Sequence, residues 1–302
     1  MSNFKAAFKK LRPSVVGVGL RRSSYEYEIL GTGFFLHAEG WIVTNRHVLE
    51  AIADLANAND GGITIRKDAA VVMFVQAPPT EEFRSVTGIV ATRVIAVAAP
   101  PHISSEIAEA SEKIASGEIV PPKFKGLEPE IIHPETLDVG LCQIDPKGLP
   151  KEALPLSPTK IIDSKDVIEG TPIGVIGFPR GLSLPDSYSS VSDIQLTPLL
   201  QVGVVSGILP MSGDPKPDRF VLDVMINPGS SGSPVFLENG SVIGIAQATR
   251  IAFHRLQILD EEGGVIESER HGISIPIGLG LAIPSSKFPA EWLSIVGKKK
   301  KH

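Results

Sequence analysis

Three short stretches of this chain hold residue types that could together break an acyl bond. The first is Asn227-Pro228-Gly229-Ser230-Ser231-Gly232-Ser233-Pro234. A serine hydroxyl is a weak nucleophile at neutral pH; it needs a base for its proton and donors for the oxyanion that forms. Glycines around small residues let successive backbone N–H groups converge in one concavity. Ser231 is therefore the candidate nucleophile, and the backbone at Gly229, Ser230 and Ser231 the candidate oxyanion hole. The second stretch runs from Gly31-Thr32-Gly33-Phe34-Phe35 to Trp41-Ile42-Val43-Thr44-Asn45-Arg46-His47-Val48. It reads as a hairpin leading into a histidine at a strand-to-helix junction, which makes His47 the candidate general base. The third is Leu137-Asp138-Val139-Gly140-Leu141. An acid at the start of an apolar strand is unfavourable unless partnered, and an imidazole N–H is a suitable partner.

Taken singly, each stretch has a plain reading: a Ser/Gly turn, a structural histidine, a capped turn acid. Glu135, Asp145 and Asp163 stand in more polar surroundings and are weaker candidates. Taken together, the chain order His, Asp, Ser is informative. Subtilisin-like enzymes run Asp, His, Ser, and α/β-hydrolases run Ser, Asp, His. The G-x-S-x-G elbow of the latter fails at Ser233. A cysteine nucleophile is excluded because Cys142, the sole cysteine, lacks a glycine turn; it reads as a buried, inert thiol. The seven histidines show no metal-ligand spacing, so no metal or cofactor is expected.

The elements that would position these residues are short apolar runs broken by 29 glycines and 25 prolines, the pattern of strands and tight turns. A first set covers Ser14–Leu20, Ile29–Leu36, Trp41–Thr44, Ile63–Arg66, Val71–Val75, Thr87–Val97 and Leu137–Ile144. A second covers Pro172–Phe178, Leu199–Ile208, Phe220–Met225, Ser233–Leu237, Val242–Ala248, Ile251–Leu259 and Ile273–Ala282. Helices are expected at Val48–Ala56, Ser104–Ala115 and Ser285–Val296. The polar stretch Pro146–Ser164 divides the strand sets. The fold class is all-β, with two antiparallel β-barrels, one over residues 1–150 and one over 151–302, plus a helical insertion at about 98–135 and a C-terminal helix. The insertion reads either as a tolerated surface excursion or as a docking surface for a protein partner.

These patterns resemble the protease domain of the HtrA/Deg family of trypsin-like serine proteases. The likeness extends to Gly174-Val175-Ile176-Gly177-Phe178-Pro179-Arg180-Gly181-Leu182, Val202-Gly203-Val204-Val205-Ser206-Gly207-Ile208, Asp223-Val224-Met225-Ile226-Asn227-Pro228-Gly229 and Gly278-Leu279-Gly280-Leu281-Ala282-Ile283-Pro284-Ser285. The resemblance implies six strands per barrel, the His47–Asp138–Ser231 triad and peptide hydrolysis through an acyl-enzyme. It also implies a pocket lined by Met225, Ile226, Ala246, Gln247 and Ala248, the last three on an edge that could pair with extended substrate backbone. No acid stands at the expected pocket base, so a small or medium aliphatic preference is expected. The sequence departs from the family at Ser230, usually Asn, and Ser233, usually Gly. No PDZ domain is expected after Trp292, so PDZ tethering and family trimers are not carried over; an oligomer stays open. The alternative is a trypsin-like peptide-binding or chaperone module without turnover.

Composition sets the outer bounds. The chain has 302 residues and a formal charge of −5, which weighs against a nucleic-acid partner. With one cysteine and no apolar leader or span read in the sequence, a cytoplasmic protein with no membrane span is expected, acting on polypeptide substrates. The basic residues Lys5, Lys9, Lys10 and Arg12, and Lys298–Lys301, read as solvated termini.

Overall fold

The computed structural model describes residues 4–24, 26–36, 39–53, 65–77, 86–98, 137–147, 149–153, 159–179, 198–212, 217–255, 258–259, 265–266, 272–290 and 292. The expected Ser104–Ala115 helix, nearly all of the insertion, the turn at 260–264 and the basic tail lie outside them.

Six strands close the first barrel: β1 (Val15–Arg21), β2 (Tyr27–Phe35), β3 (Trp41–Thr44), β4 (Ala69–Ala77), β5 (Val86–Ala98) and β6 (Gly140–Ile144), in the order β1-β2-β3-β6-β5-β4. Six more close the second: β7 (Pro172–Gly177), β8 (Leu199–Leu209), β9 (Arg219–Leu222), β10 (Pro234–Phe236), β11 (Val242–Arg255) and β14 (Gly272–Pro284), in the order β10-β11-β14-β9-β8-β7. Between β11 and β14, the short strands β12 (Ile258–Leu259) and β13 (Val265–Ile266) pair with each other. All pairings within both barrels are antiparallel.

Several strands are solidly apolar because both of their faces are buried. Adjacent side chains point alternately to opposite sides of a strand. In β2, Phe35 joins the core inside the first barrel while Phe34 joins a cluster shared by the two barrels. Ile42 and Val43 of β3, and Cys142 and Leu141 of β6, divide in the same way. Across the seam, Val235 and Phe236 of β10, and Ala246 and Ile245 of β11, split between the second barrel's core and the shared cluster. A layer of apolar side chains thus joins the barrels along β3, β6, β10 and β11, the strands nearest the three candidate catalytic residues.

Five elements differ from expectation. Of the expected strand Ile63–Arg66, the first two residues lie outside the described ones, and Ile65 pairs only in an isolated bridge with Ala53. Val242–Ala248 and Ile251–Leu259 are not two strands; β11 runs unbroken from 242 to 255 because register shifts at Gln247 and Arg250 absorb the interruptions. The helix after β3, α2 (Arg46–Ala51), starts two residues earlier than expected and so carries His47 in its first turn. A one-turn 3-10 segment, Ser285–Lys287, stands where the C-terminal helix should begin, Phe288 is extended (φ −68°, ψ 142°), and Ala290 and Trp292 are the helical residues among those described, so the helix starts later than expected. The residue before a proline avoids helical angles, and Pro289 follows. The N-terminus is not a solvated tail: Phe4–Leu11 form a helix, α1, with Phe4, Ala7 and Leu11 buried and Lys5, Lys9 and Lys10 exposed.

Candidate active site

The three candidate residues enter from the seam. Asn45 is extended between β3 and α2 (φ −76°, ψ 152°), and its side chain is fully buried. Its Nδ2 donates to the Asp138 carbonyl at 2.7 Å, tying the segment before β6 to the start of α2. That bond sets Asp138 facing His47. Oδ1 of the carboxylate accepts the His47 backbone N–H at 3.0 Å, and Oδ2 meets ring Nδ1 at 2.8 Å. A carboxylate only accepts, so Nδ1 carries the hydrogen and Nε2 of the neutral ring is left as a base. The His47 side chain is 47% exposed and that of Asp138 14%: the base faces solvent while its orienting acid is enclosed.

Ser231 lies in a turn between β9 and β10. Pro228 and Gly229 are the turn's central residues, Gly229 has φ +90°, and Ser230 N–H donates to the Asn227 carbonyl at 2.9 Å, the marks of a type II turn. Gly232 also has positive φ, +87°. Gly232 N–H donates to the Ala246 carbonyl at 2.9 Å, and Ser233 N–H to the Ser230 carbonyl at 3.0 Å. Among the described residues, the amides of Gly229 and Ser231 make no hydrogen bond. Two unengaged amides on either side of a bonded one can hold an oxyanion. Of the three residues expected at the hole, Ser230 offers no donor, because its N–H closes the turn.

The turn packs against the first barrel beside His47. A Cβ on Gly31 would lie 2.5 Å from Val48, the neighbour of His47, and 3.2 Å from the Ser231 carbonyl. A Cβ on Gly232 would lie 2.5 Å from Thr44 Oγ1. The Ser231 hydroxyl donates to the Gln247 carbonyl at 2.9 Å. Gln247 is an extra residue between Ala246, opposite Ala282, and Ala248, opposite Leu281; such a bulge frees backbone groups from the ladder. The buried Arg219 holds its side chain, with Nε donating to Gln247 Oε1 at 2.8 Å.

Residues 31–245 match the trypsin-like peptidase domain. The chain belongs to that family. Among curated relatives, it is 27% identical over 207 residues to a probable periplasmic serine endoprotease DegP-like from Pseudomonas putida (strain W619), covering 65% of this chain and 34% of the relative. It is 24% identical over 267 residues to a protein of the same description from Halomonas elongata, covering 88% of this chain and 36% of that one. The chain spans about a third of the length of these relatives. A solved HtrA-type protease AlgW with tripeptide is 18% identical, covers 97% of this chain and 63% of its own, and superposes with a TM-score of 0.45. The relatives are named periplasmic. In this trypsin-like chain no helix among the described residues is long and apolar enough to cross a membrane, and no metal-binding cluster occurs among them.

Of the expected pocket residues, Ile226 and Ala246 are buried in the second barrel's core, while Met225 and Gln247 are half-buried and Ala248 is exposed. Thr249 was not anticipated; its hydroxyl donates to the Ile226 carbonyl and fixes the loop before the turn to β11. Asn45 and Thr32 were also missed. Both are wholly buried, and their partners are backbone atoms of distant segments, so their neighbours in the sequence carried no signal.

Proposed function

We propose that this trypsin-like chain is a serine endopeptidase with Ser231 as nucleophile, His47 as general base and Asp138 orienting the histidine. The observation that carries the reading is the pair of unengaged amides at Gly229 and Ser231, set in the turn that holds the candidate nucleophile. In the reaction, the Ser231 hydroxyl leaves the Gln247 carbonyl, passes its proton to His47 Nε2 and attacks the substrate carbonyl. The two amides take up the oxyanion. Asp138 stabilises the imidazolium, which then protonates the departing amine. Water, activated by the same imidazole, hydrolyses the acyl-enzyme.

The substrate enters as an extended strand. β10 pairs with β11 as far as Ile245, and the Ser231 turn engages both backbone groups of Ala246, so the edge open to a substrate strand begins after Ala246, which the sequence had counted in it. Main-chain pairing there gives affinity of low sequence selectivity. Met225 and the small Ala248 favour an aliphatic side chain, since a lysine or arginine would find no acid among them. Cleavage of a peptide library chiefly after Lys or Arg would overturn this preference.

The deciding experiment is labelling with a serine-directed fluorophosphonate and mapping of the modified residue. Modification at Ser231, lost in Ser231→Ala with the fold retained, is the expected result. A folded wild-type protein that takes no label would instead be a peptide-binding module of the same fold.

A further inference from the structure

We propose that Thr32, a residue of the first barrel, is a positioning residue that holds the oxyanion-binding turn of the second barrel in its reactive form. This rests on the protease reading above and assigns what keeps its two donor amides presented.

Thr32 is fully buried, and its polar groups reach both sides of the nucleophile. Its hydroxyl donates to the Gly229 carbonyl at 2.7 Å. Its backbone N–H donates to the Ser231 carbonyl at 2.7 Å. The hydroxyl also accepts the Phe178 N–H at 3.0 Å, which leaves its single hydrogen for Gly229. The Thr32 carbonyl is itself fixed by the Thr44 hydroxyl at 2.6 Å. One residue thus grips the carbonyls of Gly229 and Ser231, and these two residues are the ones whose N–H groups are unengaged.

The grip matters most at Gly229. Lacking a Cβ, glycine crosses between backbone regions more easily than any other residue, so the direction of its amide is the weakest point of the turn. Its carbonyl lies in the peptide plane shared with Ser230, so fixing it anchors one of the two planes hinged at Gly229 and leaves the plane that bears the Gly229 N–H fewer ways to turn. The restraint comes from a strand 197 positions away in the chain. The donor geometry therefore depends on the barrels being docked, and the benefit appears as charge develops on the substrate oxygen.

The test compares Thr32→Val, which keeps the shape and removes the hydroxyl, with Thr32→Ser, which keeps the hydroxyl. For a peptide identified from a cleaved library, the valine variant should lose roughly 30- to 300-fold in kcat, with KM changed less than about 3-fold, somewhat less than the roughly 100- to 1000-fold lost on removing one oxyanion donor outright. Fluorophosphonate labelling should slow in parallel. The serine variant should stay within about 3-fold of wild type, and the pH midpoint of kcat/KM should not move, because His47 and Asp138 are untouched. A folded valine variant with wild-type kcat overturns the proposal, as does a folded serine variant as impaired as valine. If the valine variant does not fold, Thr32→Cys replaces it, its thiol being a poorer donor of similar size. A loss of about tenfold or more is then expected, and activity equal to the serine variant overturns the proposal. Wild-type protein that never labels brings down the protease reading and this inference together. Wild-type protein that labels, with a valine variant labelling just as fast, brings down only the role of Thr32.

Discussion

Asp138 directs both carboxylate oxygens at His47, one to the ring and one to the backbone amide. This double contact makes Asp138→Asn informative. An asparagine oxygen can still accept the backbone N–H, but its NH2 then faces Nδ1 and favours the tautomer with hydrogen on Nε2. Such a ring cannot take the serine proton. Peptide hydrolysis at neutral pH should fall by about 10⁴-fold with the melting temperature little changed; a loss under tenfold would mean that Asp138 does not set the tautomer. Cys142 is the opposite kind of residue. Burial in the first barrel pushes its thiol up to about 12 from an unperturbed 9.0. The folded state therefore keeps a proton that the unfolded chain gives up, so the thiol's contribution to stability is complete below pH 9 and is lost as pH rises from about 9 towards 12. Denaturant titrations of wild type and Cys142→Ala should diverge in slope against pH only in that window. A disulfide-exchange reagent should modify the native thiol no faster than the protein opens.

At the scale of elements, the turn that carries Ser231 contains a glycine, Gly232, that the opposite barrel leaves no room to replace. A Cβ on Gly232 would stand 1.9 Å from the Thr32 carbonyl, and φ there is +87°. Gly170 has a similar φ, +81°, but its Cβ would meet nothing within 4 Å. Gly170→Ala should therefore cost only the left-handed backbone penalty, about 1–2 kcal/mol. Gly232→Ala should cost at least about 3 kcal/mol, lowering the melting temperature by roughly 6–12 °C; equal costs at the two sites would show that the barrels yield without penalty. The strands were legible in the sequence wherever an apolar run was bounded by turn residues, and β3 matches from Trp41 to Thr44. The bulge at Gln247 was not, because an extra residue in a ladder shows only against its partner strand. The Thr32 and Asn45 contacts were illegible for a related reason: their partners are backbone atoms of distant segments, which no local pattern specifies. His47, Asp138 and the Ser231 turn were readable because each needs an unusual local composition of its own.

For the whole molecule, the decisive feature is that the two barrels share one apolar layer, and the first helix of the chain is part of it. Phe4 of α1 packs edge-on against Phe236 of β10, with ring centroids 5.7 Å apart and planes at 77°. A Cβ on Gly240, in the turn after β10, would touch Ala7 and Lys10. The basic residues Lys5, Lys9 and Lys10 masked this helix in the sequence, although Phe4, Ala7 and Leu11 have the spacing of one helical face. The N-terminal helix is thus bound to the barrel that carries Ser231, while the strand that follows it belongs to the barrel that carries His47. Phe4→Ala should destabilise the protein by about 3–5 kcal/mol, as for a large buried ring, whereas Lys9→Ala should change little. Because the shared layer ties the barrels together, wild-type unfolding in denaturant should be a single transition whether followed by tryptophan fluorescence or by the loss of strand signal. The Phe4 variant should keep that single transition at a lower midpoint. Two resolved transitions in the wild type would mean that each barrel is stable alone, and that the site between them is assembled by docking rather than by folding.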